Sequence, residues 1–338
     1  MDAKKVLVLL PVTEAQKHKL EAAAPEALFH YVPPEAITRE IAKEAQIIIG
    51  NLPVSWVGEC AKLEWIQSNF AGVGKLGEPG FLPEHILLTN GSGAYGEAIG
   101  EYLLTMLLSM MKKFNLYRDM QRLKLWTDLG PVRTIMGSSV LVVGLGDIGR
   151  AFARRVHAMG GYVTGIRRQP GALDARPDYV QQIRGLEWLD TLLPEADAVA
   201  LCLPDTLSTR GLMTRERLLG MKKDAFFLNV GRGNVVDNAI LAEVLASGHL
   251  AGAAMDVTEP EPLPEDHPLW TIPNMLLTPH VAGQFHLDDI LEKVVEISCA
   301  NLARFLSGQP LLNLVDKDEG YRRSDGQWKS IQATSPSQ

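Results

Sequence analysis

The stretch "SSVLVVGLGDIGRAFARRVHAMGG", residues 138 to 161, constrains the fold of this chain more than any other. An apolar run typical of a strand leads straight into Gly144, Gly146 and Gly149, which open a helix carrying Phe152, Val156 and Met159 on one face. Gly144 permits a tight turn, Gly146 lets backbone approach a pyrophosphate, and Gly149 allows the helix to pack closely. The helix start adds N–H donors and positive potential, with Asp147 and Ile148 counted among its cofactor contacts. A glycine turn that binds nothing is the bland alternative, but the strand and helix around this one point to a dinucleotide site.

The rest of the chain repeats the alternation of strand and helix. "KVLVLL", "ALFHYV", "QIIIGN", "EWIQSNF" and "ILLTN" read as strands, with helices over residues 13 to 24 and through "EAITREIAKEA". A long apolar helix, "EAIGEYLLTMLLSMMKKFNLYRDMQRLKLW", then leads to six further strands: "SVLVVG", "YVTGI", "AVALCL", "AFFLNV", "AGAAMDV" and "MLLTP". Six is the number in a full dinucleotide-binding sheet. A helix through "DDILEKVVEISCANLARFLSGQP" is expected to return the chain to the first domain. The predicted fold is therefore α/β, with two doubly wound parallel-sheet domains over residues 1–97 plus 289–338 and over residues 98–288. The last stretch, "YRRSDGQWKSIQATSPSQ", lacks periodicity and reads as a mobile tail or a strap on a neighbour.

Composition excludes several classes. A net charge of −7, from 33 basic and 40 acidic residues, gives no field to hold nucleic acid or an acidic membrane. Cys60, Cys202 and Cys299 are scattered without a CxxC spacing, which argues against disulfides and thiolate metal sites. No metal is expected. The N-terminus lacks the apolar core of a signal peptide, and the most apolar run is interrupted by Glu101, so a cytoplasmic location is the default expectation.

Eighteen residues beyond Gly149, where a carboxylate would meet a free ribose 2′-hydroxyl, the chain has Arg167 followed by Arg168. A guanidinium favours a phosphate where a carboxylate would repel it. The pair is expected to read the extra phosphate of NADP, with NAD still possible; the bland reading is two solvated charges at a strand end.

Three later stretches, "FFLNVGRGNVVD", "AAMDVTEPEPLPEDHPLW" and "LLTPHVAGQ", each join polar residues to an apolar run. Together with the glycine turn they resemble the D-isomer-specific 2-hydroxyacid dehydrogenases, the family that includes glyoxylate and hydroxypyruvate reductases, from about residue 46 to 310. The resemblance implies a Rossmann domain for NAD(P), a flavodoxin-like substrate domain, and a homodimer. It also implies that Arg232 holds the substrate carboxylate and carbonyl, that His280 transfers the proton, and that Glu261 hydrogen-bonds His280. Asp256 would meet the nicotinamide end, and Leu203, Pro204, Thr209, Val230 and Gly231 would contact the cofactor. Backbone N–H groups of Ala71, Gly72 and Val73 would bind the substrate carboxylate, with Leu52 as a second wall. Gly74, Asp205 and the "GQF" after His280 depart from the commonest pattern of that family. By the same resemblance Trp126 lies in an arm reaching a partner subunit, although a core tryptophan is equally compatible with its sequence context.

The implied chemistry suits these residue types. Reduction of a small 2-oxo acid needs a hydride and a proton, and a histidine beside a carboxylate can deliver the proton while an arginine fixes the planar carboxylate. Alone, His280 would read as structural and Glu261 as a solvated charge; their order with Arg232 reverses that. His267 in "EDHPLW" reads as part of a packed turn. A dinucleotide-sensing protein without turnover is the alternative from another class, and the complete set of three residues argues against it. A formate-oxidising relative would carry an amide where Glu261 stands.

Overall fold

The computed structural model describes residues 3–168 and 176–322. Its chain divides at Ala94/Tyr95 and again at Gln284/Phe285 into two compact units, the first built from both ends of the sequence and the second continuous.

In the first unit, strands β1 (Lys5–Val8), β2 (Leu28–Tyr31), β3 (Ile47–Ile49), β4 (Trp65–Gln67) and β5 (Leu87–Thr89) form a parallel sheet in the order β2-β1-β3-β4-β5. This is the flavodoxin-like order. The central strands are apolar without alternation because both faces are covered, as in Ile47, Ile48 and Ile49, all fully buried. Helix Glu14–Ala23 begins in a capping box, where Thr13 accepts from the Gln16 N–H and gives its own N–H to the Gln16 side chain. Helix Asp288–Leu306 packs against it, with Gln16 Nε2 donating to Glu292 at 3.0 Å. The expected helix through "EAITREIAKEA" is split into a 3₁₀ turn, Pro34–Ala36, and a new helix, Arg39–Glu44. Thr38 causes the restart, since it is extended and its hydroxyl accepts from Ile41 N–H.

The second unit opens with helix Gly96–Met111, which packs on helix Asp147–Ala158 so closely that a Cβ on Gly100 would sit 2.9 Å from that of Ala151. The expected continuous helix to Trp126 breaks after Met111. Lys113 turns left-handed at φ 58°, and the next helix, Phe114–Arg122, buries no residue. The break falls where buried Met110 and Met111 give way to two lysines. Trp126 is 105% exposed, which removes the core reading.

Strands β6 (Ser139–Val143), β7 (Tyr162–Ile166), β8 (Gln182–Arg184), β9 (Ala198–Leu201), β10 (Phe226–Asn229), β11 (Gly252–Met255) and β12 (Met275–Leu277) form a parallel sheet in the order β12-β11-β10-β9-β6-β7-β8. Six strands were expected and seven are present among the described residues. The extra one, β8, is a polar three-residue edge strand, half-buried throughout, and so lacks the apolar run that marks the others. The order reverses between β6 and β9, where open α/β sheets hold ligands at the carboxyl ends of strands. Among the described residues no helix is long and apolar enough to cross a membrane, and no cluster of His, Cys, Asp and Glu could hold a metal. The expected C-terminal tail lies outside the described residues from 323 onward.

Candidate active site

At the reversal point, the three glycines meet three separate steric demands. Gly144 has φ +99°, and a Cβ there would lie 2.5 Å from the Cys202 carbonyl oxygen. Around the Gly146 Cβ position there is nothing within 4 Å, leaving space for a ligand against bare backbone. A Cβ on Gly149 would fall 2.2 Å from the Gly144 carbonyl oxygen. No side chain caps the helix that begins at Asp147, so its leading N–H groups keep their capacity for an anion, with half-buried Asp147 and Ile148 in the first turn. These features fit a bound dinucleotide pyrophosphate.

The neighbouring strand ends close around this turn. Leu203 lies between it and the next loop, since a Cβ on Gly231 would be 2.6 Å from the Leu203 carbonyl oxygen. Val230 is buried beside it. The Thr209 hydroxyl donates to the Pro204 carbonyl at 2.7 Å and accepts from Thr206 N–H at 3.0 Å, closing the 204–209 loop on itself. Asp205 accepts from Arg210 Nε at 2.9 Å and Asn234 Nδ2 at 3.0 Å, and these bonds hold its carboxyl below the usual range against the opposing effect of burial. Arg167 follows β7 directly and gives its N–H to the Arg184 carbonyl at 3.0 Å; its side chain is half-buried and that of Arg168 exposed.

Arg232 is presented by a turn that Asn229 organises. The Asn229 side chain donates to the Arg232 carbonyl at 2.8 Å and accepts from Gly231 N–H at 3.0 Å. Gly233 then runs against Thr258, whose backbone a Cβ would overlap at 2.1 Å, which brings the arginine turn to the loop carrying Glu261. Thr258 N–H donates to Glu261 Oε1 at 3.0 Å, and the other oxygen, Oε2, lies 2.8 Å from His280 Nδ1. That bond orients the ring and assigns its Nδ1 proton to the carboxylate, leaving Nε2 for another task.

Asp256 is only 2% exposed, and its carboxylate accepts from the Thr278 hydroxyl at 2.6 Å and from the Val281 and Ala282 N–H groups at 3.0 Å each. Its carbonyl accepts from His280 N–H at 2.8 Å. The structure thus joins Asp256 to the turn that holds His280 in a left-handed conformation, φ 52°. Gln284, of the divergent "GQF", donates to the His280 carbonyl at 3.3 Å. His267 sits apart, with Nδ1 accepting from Leu269 N–H at the start of a 3₁₀ turn.

In the first unit, Ala71 and Gly72 are half-exposed and Val73 is buried in the core. Leu52, expected as a substrate wall, is 4% exposed and packs into the same core, so its side chain faces inward. Asn229, Thr258 and Asn90 have no signal in the sequence, because Asn229 and Asn90 act by side-chain hydrogen bonds to backbone and Thr258 by its own backbone N–H rather than through a recognisable chemical type.

A family model described as "D-isomer specific 2-hydroxyacid dehydrogenase, NAD binding domain" matches residues 104–282. A glyoxylate reductase of Thermofilum pendens is 32% identical over 265 residues, 76% of each chain. A D-isomer specific 2-hydroxyacid dehydrogenase family protein from Aeromonas salmonicida superposes with a TM-score of 0.81 at 31% identity, covering 93% of this chain and 99% of that one. A D-isomer specific 2-hydroxyacid dehydrogenase from Xanthobacter autotrophicus, solved with NADPH and MES, gives 0.80 at 30% identity, covering 94% of this chain and 100% of that one. The chain thus belongs to the D-isomer specific 2-hydroxyacid dehydrogenase family, and its second unit contains that family's NAD binding domain.

Proposed function

We propose that this protein reduces a small 2-oxo acid of the glyoxylate or hydroxypyruvate kind to the D-2-hydroxy acid, with NADPH preferred over NADH. The observation that carries the reading is the 2.8 Å pair of His280 and Glu261, in the same unit as the Arg232 turn and the glycine turn. When bound, the nicotinamide supplies hydride to the carbonyl carbon. Arg232 binds the carboxylate and carbonyl oxygen and so fixes which face of the carbonyl is presented. His280 gives its Nε2 proton to the developing alkoxide, while Glu261 holds the ring by Nδ1. The backbone of Ala71, Gly72 and Val73 receives the substrate carboxylate.

NADPH preference rests on Arg167 and Arg168 at the end of β7, where a carboxylate would serve NADH. The structural relative from Xanthobacter autotrophicus, which holds NADPH, supports it. A homodimer is part of the same reading, supported by exposed Phe114, Leu123, Leu125, Trp126, Val132 and Met136 in one stretch of chain.

The test is the initial rate of NADPH and NADH oxidation with glyoxylate, hydroxypyruvate, pyruvate and bulkier 2-oxo acids, with light scattering on the same preparation. Turnover of a small 2-oxo acid with NADPH at least about tenfold better than NADH is expected, a step of about 1.4 kcal/mol. Equal use of the two would reduce the arginine pair to surface charges. Cofactor binding without turnover would favour the sensing alternative, and a monomer would remove the dimer.

A further inference from the structure

The loop over residues 68–73 carries no ionised side chain, yet the proposed reaction needs it to hold an anion. Its hydrogen bonds show how it can. The Phe70 carbonyl accepts from Gly91 N–H at 2.9 Å, and the Ala71 carbonyl accepts from Asn90 Nδ2 at 2.7 Å. In a planar trans peptide, C=O and N–H point in opposite directions. Anchoring these two consecutive carbonyls toward the 90–91 turn therefore aims the N–H groups of Ala71 and Gly72 away from it, both on the side opposite the anchor.

Asn90 is built to hold one orientation. It is fully buried, and its Oδ1 accepts from Ser92 N–H at 3.1 Å while Nδ2 serves Ala71. Its backbone is braced by Asn313, which accepts from Asn90 N–H at 3.3 Å and whose Nδ2 donates to the carbonyls of Asn90 at 3.2 Å and Ser92 at 2.7 Å. The Phe70 N–H, by contrast, is already taken by Ser68 Oγ at 3.2 Å, so the donors offered outward begin at Ala71.

We propose that Asn90 is the positioning residue of the substrate-carboxylate loop: by holding the Ala71 carbonyl through Nδ2 it points the Gly72 N–H, together with that of Ala71, at the carboxylate of the 2-oxo acid. This rests on the reductase reading for the identity of the ligand. It assigns Asn90 no contact with the reacting atoms.

The test is Asn90→Asp, which keeps the acceptor for Ser92 N–H but sets a carboxylate against the Ala71 carbonyl. The KM for glyoxylate is expected to rise about 10- to 100-fold, the size of one hydrogen bond to a charged group, with kcat within about threefold and KM for NADPH unchanged. A purely structural residue would lower kcat and cofactor affinity along with stability. Asn90→Ser, whose hydroxyl is too short to reach Ala71, gives the same KM shift if the Asp variant does not fold. Calorimetric titration with oxalate on the NADP⁺-saturated protein reads the same loop without turnover. Oxalate binding about 10- to 100-fold weaker in the variant supports the proposal; equal affinity, or no oxalate binding by the wild type, overturns it. Wild-type protein that binds oxalate more tightly than the variant yet reduces no 2-oxo acid would sink the reductase reading and leave the role of Asn90 standing.

Discussion

The two parallel sheets share an architecture but offer a ligand different parts of themselves. The seven-stranded sheet ends in loops that present charged side chains, Arg232, Glu261 and His280, held by the Asn229 side chain, the Thr258 N–H and the Asp256 carbonyl respectively. The five-stranded sheet ends in a loop that presents backbone N–H groups, steered by the side chain of Asn90. Chemistry that must move a proton needs a titratable side chain, whereas an anion can be held by oriented amides alone.

Replacing His280 by Ala tests the side-chain half of this contrast at its strongest point. The kcat for reduction should fall by about 10²- to 10⁴-fold, the usual contribution of a general acid, with the KM for the 2-oxo acid little changed. Glu261→Gln should cost less, about 10- to 100-fold, because the carboxylate that holds the His280 ring by Nδ1 is replaced by a neutral amide. A variant as active as wild type would break the assignment.

The amino edge of the same seven-stranded sheet should respond differently. Asp197 accepts from Lys222 Nζ at 2.6 Å and Ser139 N–H at 2.9 Å. Burial alone would raise its carboxyl, but these two bonds outweigh it and hold the group below the usual carboxylate range. A depressed folded-state value means stabilisation that is complete above the unfolded carboxyl pKa and disappears as pH falls through the folded one. Asp197→Asn should therefore lower stability at neutral pH by about 1 kcal/mol or less, with the difference from wild type fading in acid and turnover preserved. Thermal melts across pH 2 to 7 check this, and an unchanged gap in acid would refute it.

The smallest expected effect lies on the loop of the five-stranded sheet. Lys75, exposed two residues beyond Val73, is a cation that could hold an anion instead of the backbone. If the amides do the work, Lys75→Ala changes the KM for the 2-oxo acid by less than about threefold, the size of a screened surface charge. A tenfold rise would dissolve the distinction between the two loops.

Most of this fold is legible in the chain because buried parallel strands are apolar throughout, and the glycines of a dinucleotide turn answer to sterics that act locally. Strand β8 escapes that logic, since an edge strand of Gln182, Ile183 and Arg184 carries no apolar signal. So does the break at Lys113, which depends on where burial stops rather than on helix propensity. In the site, Arg232, Glu261 and His280 can be picked out by chemical type and order. The task of Asn90 cannot, because it consists of bonds to backbone groups that the chain brings near only after folding. Leu52, a substrate wall by resemblance, has an apolar side chain packed into the core of the first unit, a placement that the family motif does not carry.

One feature of the first unit bears on how the protein is made. Asn301 donates to Gln67 at 2.8 Å and Asn313 braces Asn90, so this unit is closed by residues more than two hundred positions downstream of those they hold. During synthesis strands β1 to β5 must wait for helix Asp288–Leu306, while the continuous unit between them has all its described strands once residue 277 has left the ribosome. The five-stranded sheet is thus translated before the seven-stranded one and completed after it, and until Asp288–Leu306 arrives, Gln16 and Gln67 stand open to whatever else is in the cell.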